Sequence, residues 1–404
     1  MRGFVLRVVH PKQLQPFTVR LAVVTETWPP EVNGVANTIY RLVTGLHKRG
    51  DYAIELVRPR QQHNDAYKQY DEYLVPSMHL PFYREVCLGI PQYRGLKQHW
   101  QQKRPDMVQI VTEGPLGYAA LKAAQHLNIP VISDFHTNFD QYSHYYGVSH
   151  LFKLAKRYLR YFHNQTYRTL VPTQEIRAQL ATNGYRNLDI MARGIDADLF
   201  KPSRRSAALR HKIGVRPDQL LVTLVTRVAQ EKNIELALQA FRAIQARHPD
   251  ARFLLVGDGP ERKRLEQQYP DCYFAGMQTG TALAEHYASG DLFLYPSTSE
   301  TFGNVVIEAM ASGLPVVTFD YAAAHEYIRQ GENGWVVPLE APQAFIDAAV
   351  TLATDQTLRH NLGQAASVTA HQLDWDKVVQ GLHHTIHSVL EESKHEYETP
   401  AAIK

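Results

Sequence analysis

The sequence predicts an α/β protein built from two doubly wound domains, each a parallel sheet with helices on both faces. Three observations carry this expectation. The chain has 404 residues, enough for two cores of ordinary size. Short apolar runs rich in β-branched residues alternate with helical segments along both halves, joined by short loops. The stretch Asp291–Asp320, DLFLYPSTSETFGNVVIEAMASGLPVVTFD, spells one complete β-loop-α-β unit.

In the first half, Val19–Thr25 reads as the first parallel strand. It empties into the loop Glu26–Val35, and a helix of about fifteen residues follows, ending near Gly50. Such a sheet binds ligands beyond the carboxyl ends of its strands. Gly34, at the helix mouth, would let the backbone approach a phosphate or sugar, and is equally compatible with a plain turn. Ala53–Arg58, Met107–Val111 and Val131–Asp134 read as further strands, with a helix at Gly117–Leu127. His136 stands at the end of Val131–Asp134, in Phe135-His136-Thr137-Asn138-Phe139, where a histidine is either structural or catalytic. Residues 151–163 form an amphipathic helix, with Lys153, Lys156, Arg157 and Arg160 in one sector and Leu151, Leu154, Ala155, Tyr158, Leu159 and Phe162 opposite. A core helix with a solvated basic face and a helix lying on anionic lipid both fit that pattern. Thr169–Pro172 reads as the last strand of the domain, and Arg193-Gly194-Ile195-Asp196 as the hinge.

Lys201–Arg216 reads as a basic linker with a short helix, after which strand and helix alternate from Leu220 up to the 291–320 unit. In that unit Leu292–Tyr295 is a strand, Gly303 opens a helix, Gly313 and Pro315 close it, and Val316–Phe319 is the next strand. Glu300 lies in the loop and Glu308 in the helix, with the free amides of the helix end between them. At 1.5 Å per residue Glu308 sits roughly 8 Å along the axis from Gly303, about the length of a diphosphate. The helix is apolar nearly all round, so the Glu308 carboxylate needs a partner. Arg227, at a strand end, and Lys232, at the next helix mouth, would bring cations to the same sheet edge.

Composition narrows the class. Hydrophobic residues make up 44% and charged residues 21%, as in soluble globular proteins. Two cysteines, Cys87 and Cys272, suggest neither a disulfide framework nor a zinc site and point to a reducing compartment. The N-terminus has no signal-peptide pattern, and no apolar run reaches 18 residues. Residues 1–170 carry 21 Lys/Arg against 12 Asp/Glu, and residues 171–404 carry 22 against 28. The basic first half suits an anionic membrane surface or a phosphorylated acceptor. No nucleic-acid-binding signature accompanies it. The DxD-like Asp196 and Asp198 are explained by a turn and helix cap, and His383 and His387 lack a third ligand, so no metal is expected.

The Glu300-to-Glu308 spacing around Phe302-Gly303, the Arg227/Lys232 loop, the Asn33-Gly34 loop, the Phe135-His136-Thr137 strand end and the Arg193-Gly194-Ile195-Asp196 hinge together resemble retaining glycosyltransferases of family 4, from about Val19 to about Leu390. EGPLGYAALKAA and SDFHTNFDQY look most like the lipid-glycosylating branch, with its mannosyltransferases and diacylglycerol glycosyltransferases related to sulfoquinovosyltransferase. The resemblance implies a GT-B fold of two Rossmann-like domains facing across a cleft, an acceptor domain at 1–195 and a donor domain at 196–374, with a terminal helix at about 375–392 crossing back. It implies that Arg227 and Lys232 bind the donor diphosphate, that Glu308 bonds the ribose, and that Glu300 bonds the transferred sugar. Thr301, Phe302, Gly303 and Asn304 would add donor contacts, Gly34 would lie close to the diphosphate or the acceptor across the cleft, and His136 would face the reacting sugar. It further implies a UDP- or GDP-linked sugar as co-substrate, no cofactor or metal, a lipid acceptor, and a peripheral place at the inner face of the cytoplasmic membrane. Thr226 departs from the family's usual glycine before the basic residue. A soluble or polysaccharide-linked acceptor, a nucleotide-sugar 2-epimerase and a non-catalytic carbohydrate-binding or scaffold protein are the alternatives.

Overall fold

The computed structural model describes residues 18–31, 33–61, 69–80, 83–136 and 149–398. Val32 and the Thr137-Asn138-Phe139 part of the strand-end motif lie outside the described residues.

Two parallel sheets organise the chain. The first runs β3-β2-β1-β6-β7-β8-β9 and comprises β1 (Val19–Val24), β2 (Tyr52–Pro59), β3 (Asp71–Val75), β6 (Met107–Ile110), β7 (Val131–Asp134), β8 (Arg168–Val171) and β9 (Leu188–Ile190). The second runs β12-β11-β10-β13-β14-β15 and comprises β10 (Leu221–Val225), β11 (Arg252–Val256), β12 (Tyr273–Gly276), β13 (Leu292–Tyr295), β14 (Val316–Phe319) and β15 (Trp335–Val337). Central strands such as LVTLV and LFLY are buried throughout, because helices cover both faces of the sheet. In each sheet the chain order reverses beside the first strand, between β1 and β6 and between β10 and β13. Those reversals open the crevices in which doubly wound sheets take ligands.

Five strands among the described residues, β3, β9, β15 and the two of a hairpin, depart from the sequence reading. Thr169–Pro172 is not the end of the first sheet: β9 adds an edge strand of three half-buried residues, too short to leave a periodic signal. β3 was not expected, because DEYLV sits half-exposed at the opposite edge. An antiparallel hairpin, β4 (Ser77–Leu80) with β5 (Tyr83–Gly89), is also additional.

The chain crosses between the sheets twice, and the crossings lie side by side. Ile195 pairs with Asp374 in a parallel bridge, and the Ile195 amide donates to the Leu373 carbonyl at 2.7 Å. The terminal helix, Trp375–Glu398, then packs on the helix Gly34–Arg49, burying Val379, Leu382, Ile386 and Val389 against Ile39, Leu42, Val43 and Leu46. Helix ends also meet across the boundary. The Gln174 amide donates to Glu326 at 2.8 Å, and the Ala322 amide donates to Glu175 at 3.0 Å, so each helix start is capped by a carboxylate of the other domain.

A side chain on Gly194 would stand 2.7 Å from the Trp375 ring and 2.8 Å from its Cα. Gly194→Val is therefore expected to destabilise the docked terminal helix by about 1–3 kcal/mol, the usual cost of forcing atoms into a packed contact. Urea unfolding measures this, and an unchanged midpoint would refute it.

Candidate active site

The carboxyl edges of the two sheets face each other, and the candidate residues gather there. The loop after β13 ends in Gly303, whose φ of +92° suits glycine and sets the chain into the helix Asn304–Ala311. Gly303 has no side chain with which to cap that helix, and the Val306 amide turns back to the Gly303 carbonyl at 3.0 Å. Across the cleft, the Asn33 side chain accepts from the Ala36 amide at 2.8 Å and caps the Gly34–Arg49 helix. A methyl on Gly34 would stand 3.3 Å from Asn304 Nδ2, so the two helix starts approach each other at the cleft floor. Such ends favour anions.

Lys232, expected to hold the donor diphosphate, and Glu300, expected to bond the transferred sugar, form one ion pair. Lys232 Nζ lies 2.5 Å from Glu300 Oε1 and also donates to the Ser299 carbonyl at 2.9 Å. The same Oε1 accepts from Ser297 Oγ at 2.8 Å and from the Tyr295 hydroxyl. The sequence placed the two groups at one sheet edge without pairing them; they stand 68 positions apart, and the pairing follows from β10 and β13 being neighbours in the sheet. Arg227, at the end of β10, is exposed and makes no side-chain hydrogen bond or ion pair among the described residues, so its charge is available to a ligand. Thr226 is buried, and its carbonyl fills the space a side chain on Gly257 would need.

Glu308 has the partner its apolar helix requires: the Tyr287 hydroxyl donates to Oε2 at 2.9 Å. Burial pushes the Glu308 carboxyl up to about 7, and the Tyr287 hydrogen bond opposes the shift without cancelling it. Phe302 is buried, its carbonyl taking the Ala323 amide at 2.8 Å. Thr301 Oγ1 donates to the His136 carbonyl at 2.9 Å and ties the donor loop to the first domain.

His136 is not an open group at the strand end. Its ring is buried, with Nδ1 2.8 Å from Arg193 Nη2 and Nε2 3.6 Å from Asp134 Oδ2. Burial first, then the Arg193 charge, hold the imidazole below its ordinary pKa, while Asp134 acts the other way. Glu26, in the loop after β1, is buried and accepts from the Leu116 amide at 3.0 Å. Its carboxyl is pushed up to about 7 by burial, against that hydrogen bond.

Tyr295, Ser297, Tyr287, Asp134, Gln109 and Arg193 escaped the sequence reading as site residues. Tyr295 and Ser297 flank Glu300 closely enough that the loop PSTSE signals them; Tyr287 lies on a preceding helix and Arg193 was read as hinge alone, and nothing local marks either. Asp196 pairs with Arg41 at 2.6 Å and accepts from the Leu199 amide, while His383 Nδ1 meets the Tyr52 hydroxyl at 2.8 Å.

Lys153, Lys156, Arg157 and Arg160 are exposed on the helix Ser149–His163, whose Leu159 and Phe162 face the core. Leu154, placed by periodicity on the apolar side, is instead 63% exposed, because the buried sector is narrower than the helical wheel suggested. Tyr161 is 46% exposed, and Lys122 Nζ lies over the rings of Tyr161 and Tyr118.

A family model described as "Glycosyltransferase Family 4" matches residues 32–199, and one described as "Glycosyl transferases group 1" matches residues 219–355. The chain is 31% identical over 357 residues to a protein of Mycobacterium tuberculosis named GDP-mannose-dependent alpha-mannosyltransferase, covering 87% of this chain and 92% of that protein. It is 26% identical over 339 residues to the Alpha-monoglucosyldiacylglycerol synthase of Acholeplasma laidlawii, covering 78% and 84% of the two chains. The structure of the Sucrose-phosphate synthase (tll1590) from Thermosynechococcus elongatus superposes with a TM-score of 0.74 at 17% identity, covering 93% of this chain and all of that one.

Proposed function

Because the chain belongs to glycosyltransferase family 4 and has its two-domain GT-B fold, we propose that it moves a hexosyl group, with retention, from a UDP- or GDP-linked sugar to a lipid acceptor such as diacylglycerol at the inner face of the cytoplasmic membrane. The observation that carries this reading is the glycine-led start of the Asn304–Ala311 helix facing Gly34, with Arg227 and the Lys232–Glu300 pair at the same sheet edge. The donor diphosphate would lie on the helix amides, with Arg227 and Lys232 taking the charge that grows on the leaving phosphate. The Glu308 carboxylate would bond the ribose hydroxyls. Glu300, held by Lys232, Ser297 and Tyr295, would accept a hydroxyl of the transferred sugar. With its carboxylate so occupied, front-face transfer suits the site: the bond from C1 to the phosphate oxygen breaks, the bond to the acceptor oxygen forms on the same face, and the phosphate takes the acceptor's proton. Charge neutralisation by these side chains would need no metal.

The lipid acceptor is supported by the first domain. No helix among the described residues is long and apolar enough to cross a membrane. The helix Ser149–His163 instead presents exposed Leu154 and Tyr161 beside a basic face, a composition that suits an anionic lipid surface. A relative bears diacylglycerol in its name.

A donor panel of UDP-glucose, UDP-galactose, GDP-mannose and UDP-sulfoquinovose, incubated with diacylglycerol in vesicles, tests the reading by mass spectrometry of the lipid. One donor is expected to yield a glycolipid, equally well in EDTA. No glycolipid from any donor would sink the lipid claim, and transfer to an added sugar would move the acceptor to the soluble class. Replacing Lys153, Lys156, Arg157 and Arg160 together by serine is expected to weaken sedimentation with anionic vesicles at least about tenfold, since each basic residue near such a surface is worth about 1 kcal/mol. Equal binding would return the helix to a purely structural role.

A further inference from the structure

The cluster at the end of β7 contains more chemistry than a histidine. Arg193 lies on the outbound crossing between the domains and is only 6% exposed. Its Nη2 stands 2.8 Å from His136 Nδ1. A guanidinium has donors and no acceptor, so Nδ1 must present a lone pair and the single proton of the neutral ring must sit on Nε2. On that side Asp134 Oδ2 is 3.6 Å away, beyond hydrogen-bonding reach. Asp134 is held there by the Gln109 amide nitrogen, which donates to its two oxygens at 3.0 and 2.9 Å.

Two buried donors are therefore left without a partner among the described residues: His136 Nε2 and Arg193 Nη1. An unmet buried donor costs about 1–3 kcal/mol, so the arrangement does not serve stability. It stands where the His136 carbonyl receives Thr301 of the donor loop, and where Arg193 is followed by Gly194 against Trp375 and Ile195 bridged to Asp374. The residue that orients the histidine is thus fixed by both domain crossings.

We propose that Arg193 is a positioning residue for the transfer, an inference that rests on the transferase reading: its guanidinium locks His136 as the neutral Nε2–H tautomer, and so reserves that N–H for a hydroxyl of the transferred sugar. The charged and titratable groups facing the ring are Asp134 from β7, Arg193 from the crossing and His163 from the helix Ser149–His163. Without Arg193 the ring would be free to place its proton on Nδ1 or to take a second one beside Asp134. Either state misdirects the Nε2 donor or changes its charge.

The test is ¹⁵N NMR of the full chain labelled in histidine, with His136→Gln identifying the His136 signals. In the wild type, His136 is expected to show a protonated Nε2 and a bare Nδ1 throughout pH 5–8. Arg193→Met is expected to give mixed tautomers or titration within that range, and Arg193→Lys to restore part of the wild-type pattern. On the donor that the panel identifies, Arg193→Met is expected to lower kcat about 10²-fold, the scale of a misplaced group. The donor KM should stay nearly constant, the acid limb of the kcat profile should move to higher pH, and the lysine variant should recover part of the loss. A wild-type His136 with its proton on Nδ1, or doubly protonated at pH 7, overturns the proposal even if no variant folds. A methionine variant whose His136 signals and acid limb match the wild type overturns it as well. If the tautomer is as stated and no donor is turned over, the transferase reading falls instead.

Discussion

Lys232→Ala is expected to lower kcat/KM for the donor by about 10²- to 10³-fold, the usual cost of removing one donor aimed at charge that develops in the transition state. Two effects add in the same direction. The leaving diphosphate loses a cation, and Glu300, whose side chain is 15% exposed, loses the ammonium paired with it. The freed carboxylate would then repel the diphosphate at close range. Tyr295 and Ser297 still bond Glu300, so the loop should keep its shape and the defect should fall on catalysis more than on folding. Lys232→Arg should rescue poorly, because a planar fork does not replace a point charge in a site built for one. Residues that act as a unit give non-additive losses, so the Lys232→Ala, Glu300→Gln double variant should be little worse than the worse single variant. Steady-state kinetics with the four forms decide this. Activity of Lys232→Ala within threefold of the wild type would remove Lys232 from the mechanism.

The second large effect is on stability as a function of pH. Glu308 and Glu26 both titrate near 7 in the folded protein, against an ordinary value of 4.5, with burial as the main cause. Between those values the unfolded chain has released the proton that the folded chain still holds, so raising the pH favours unfolding. The stabilisation is complete below about 4.5 and is lost as the pH rises through about 7. Each group contributes a slope of up to about 1.4 kcal/mol per pH unit, which makes the pair worth several kcal/mol across the window. Urea unfolding at pH 5, 6, 7 and 8 should show the ligand-free protein weakening from pH 5 to 7 and levelling off by pH 8, and Glu308→Gln and Glu26→Gln should each flatten the slope. A ribose donating to the Glu308 carboxylate would favour its ionised form, so nucleotide binding should tighten as pH rises through 7. A Glu308→Gln variant with the wild-type slope would show that the buried carboxyl does not govern it.

The two-sheet α/β architecture was legible because its strands are continuous apolar runs separated by helices with ordinary starts and stops. The helix Gly34–Arg49 runs from an Asn33 cap to Gly50 at φ +79°, signals that local sequence carries in full. The edge strands β3, β9 and β15 were missed because short or half-exposed strands lose the apolar signature that marks central ones. At the site, Glu300, Glu308 and Gly303 were visible as carboxylates and a glycine around one helix start. Leu154 shows the opposite failure: its periodicity was right for an apolar face, yet the neighbouring elements cover only part of that face.

By itself the sequence determined which segments become strand or helix, where glycine must sit, and which loop carries the carboxylates, because these depend on residues close along the chain. Tertiary structure alone decided the partners. Lys232 meets Glu300 through the adjacency of β10 and β13, Tyr287 reaches Glu308 from another helix, and Arg193 meets His136 across 57 residues. A hydrogen bond is specified within tenths of an ångström and by the direction of its donor, and chain separation says nothing about either. The sequence showed that Glu308 needed a partner and could not say which; only the packed fold answered that.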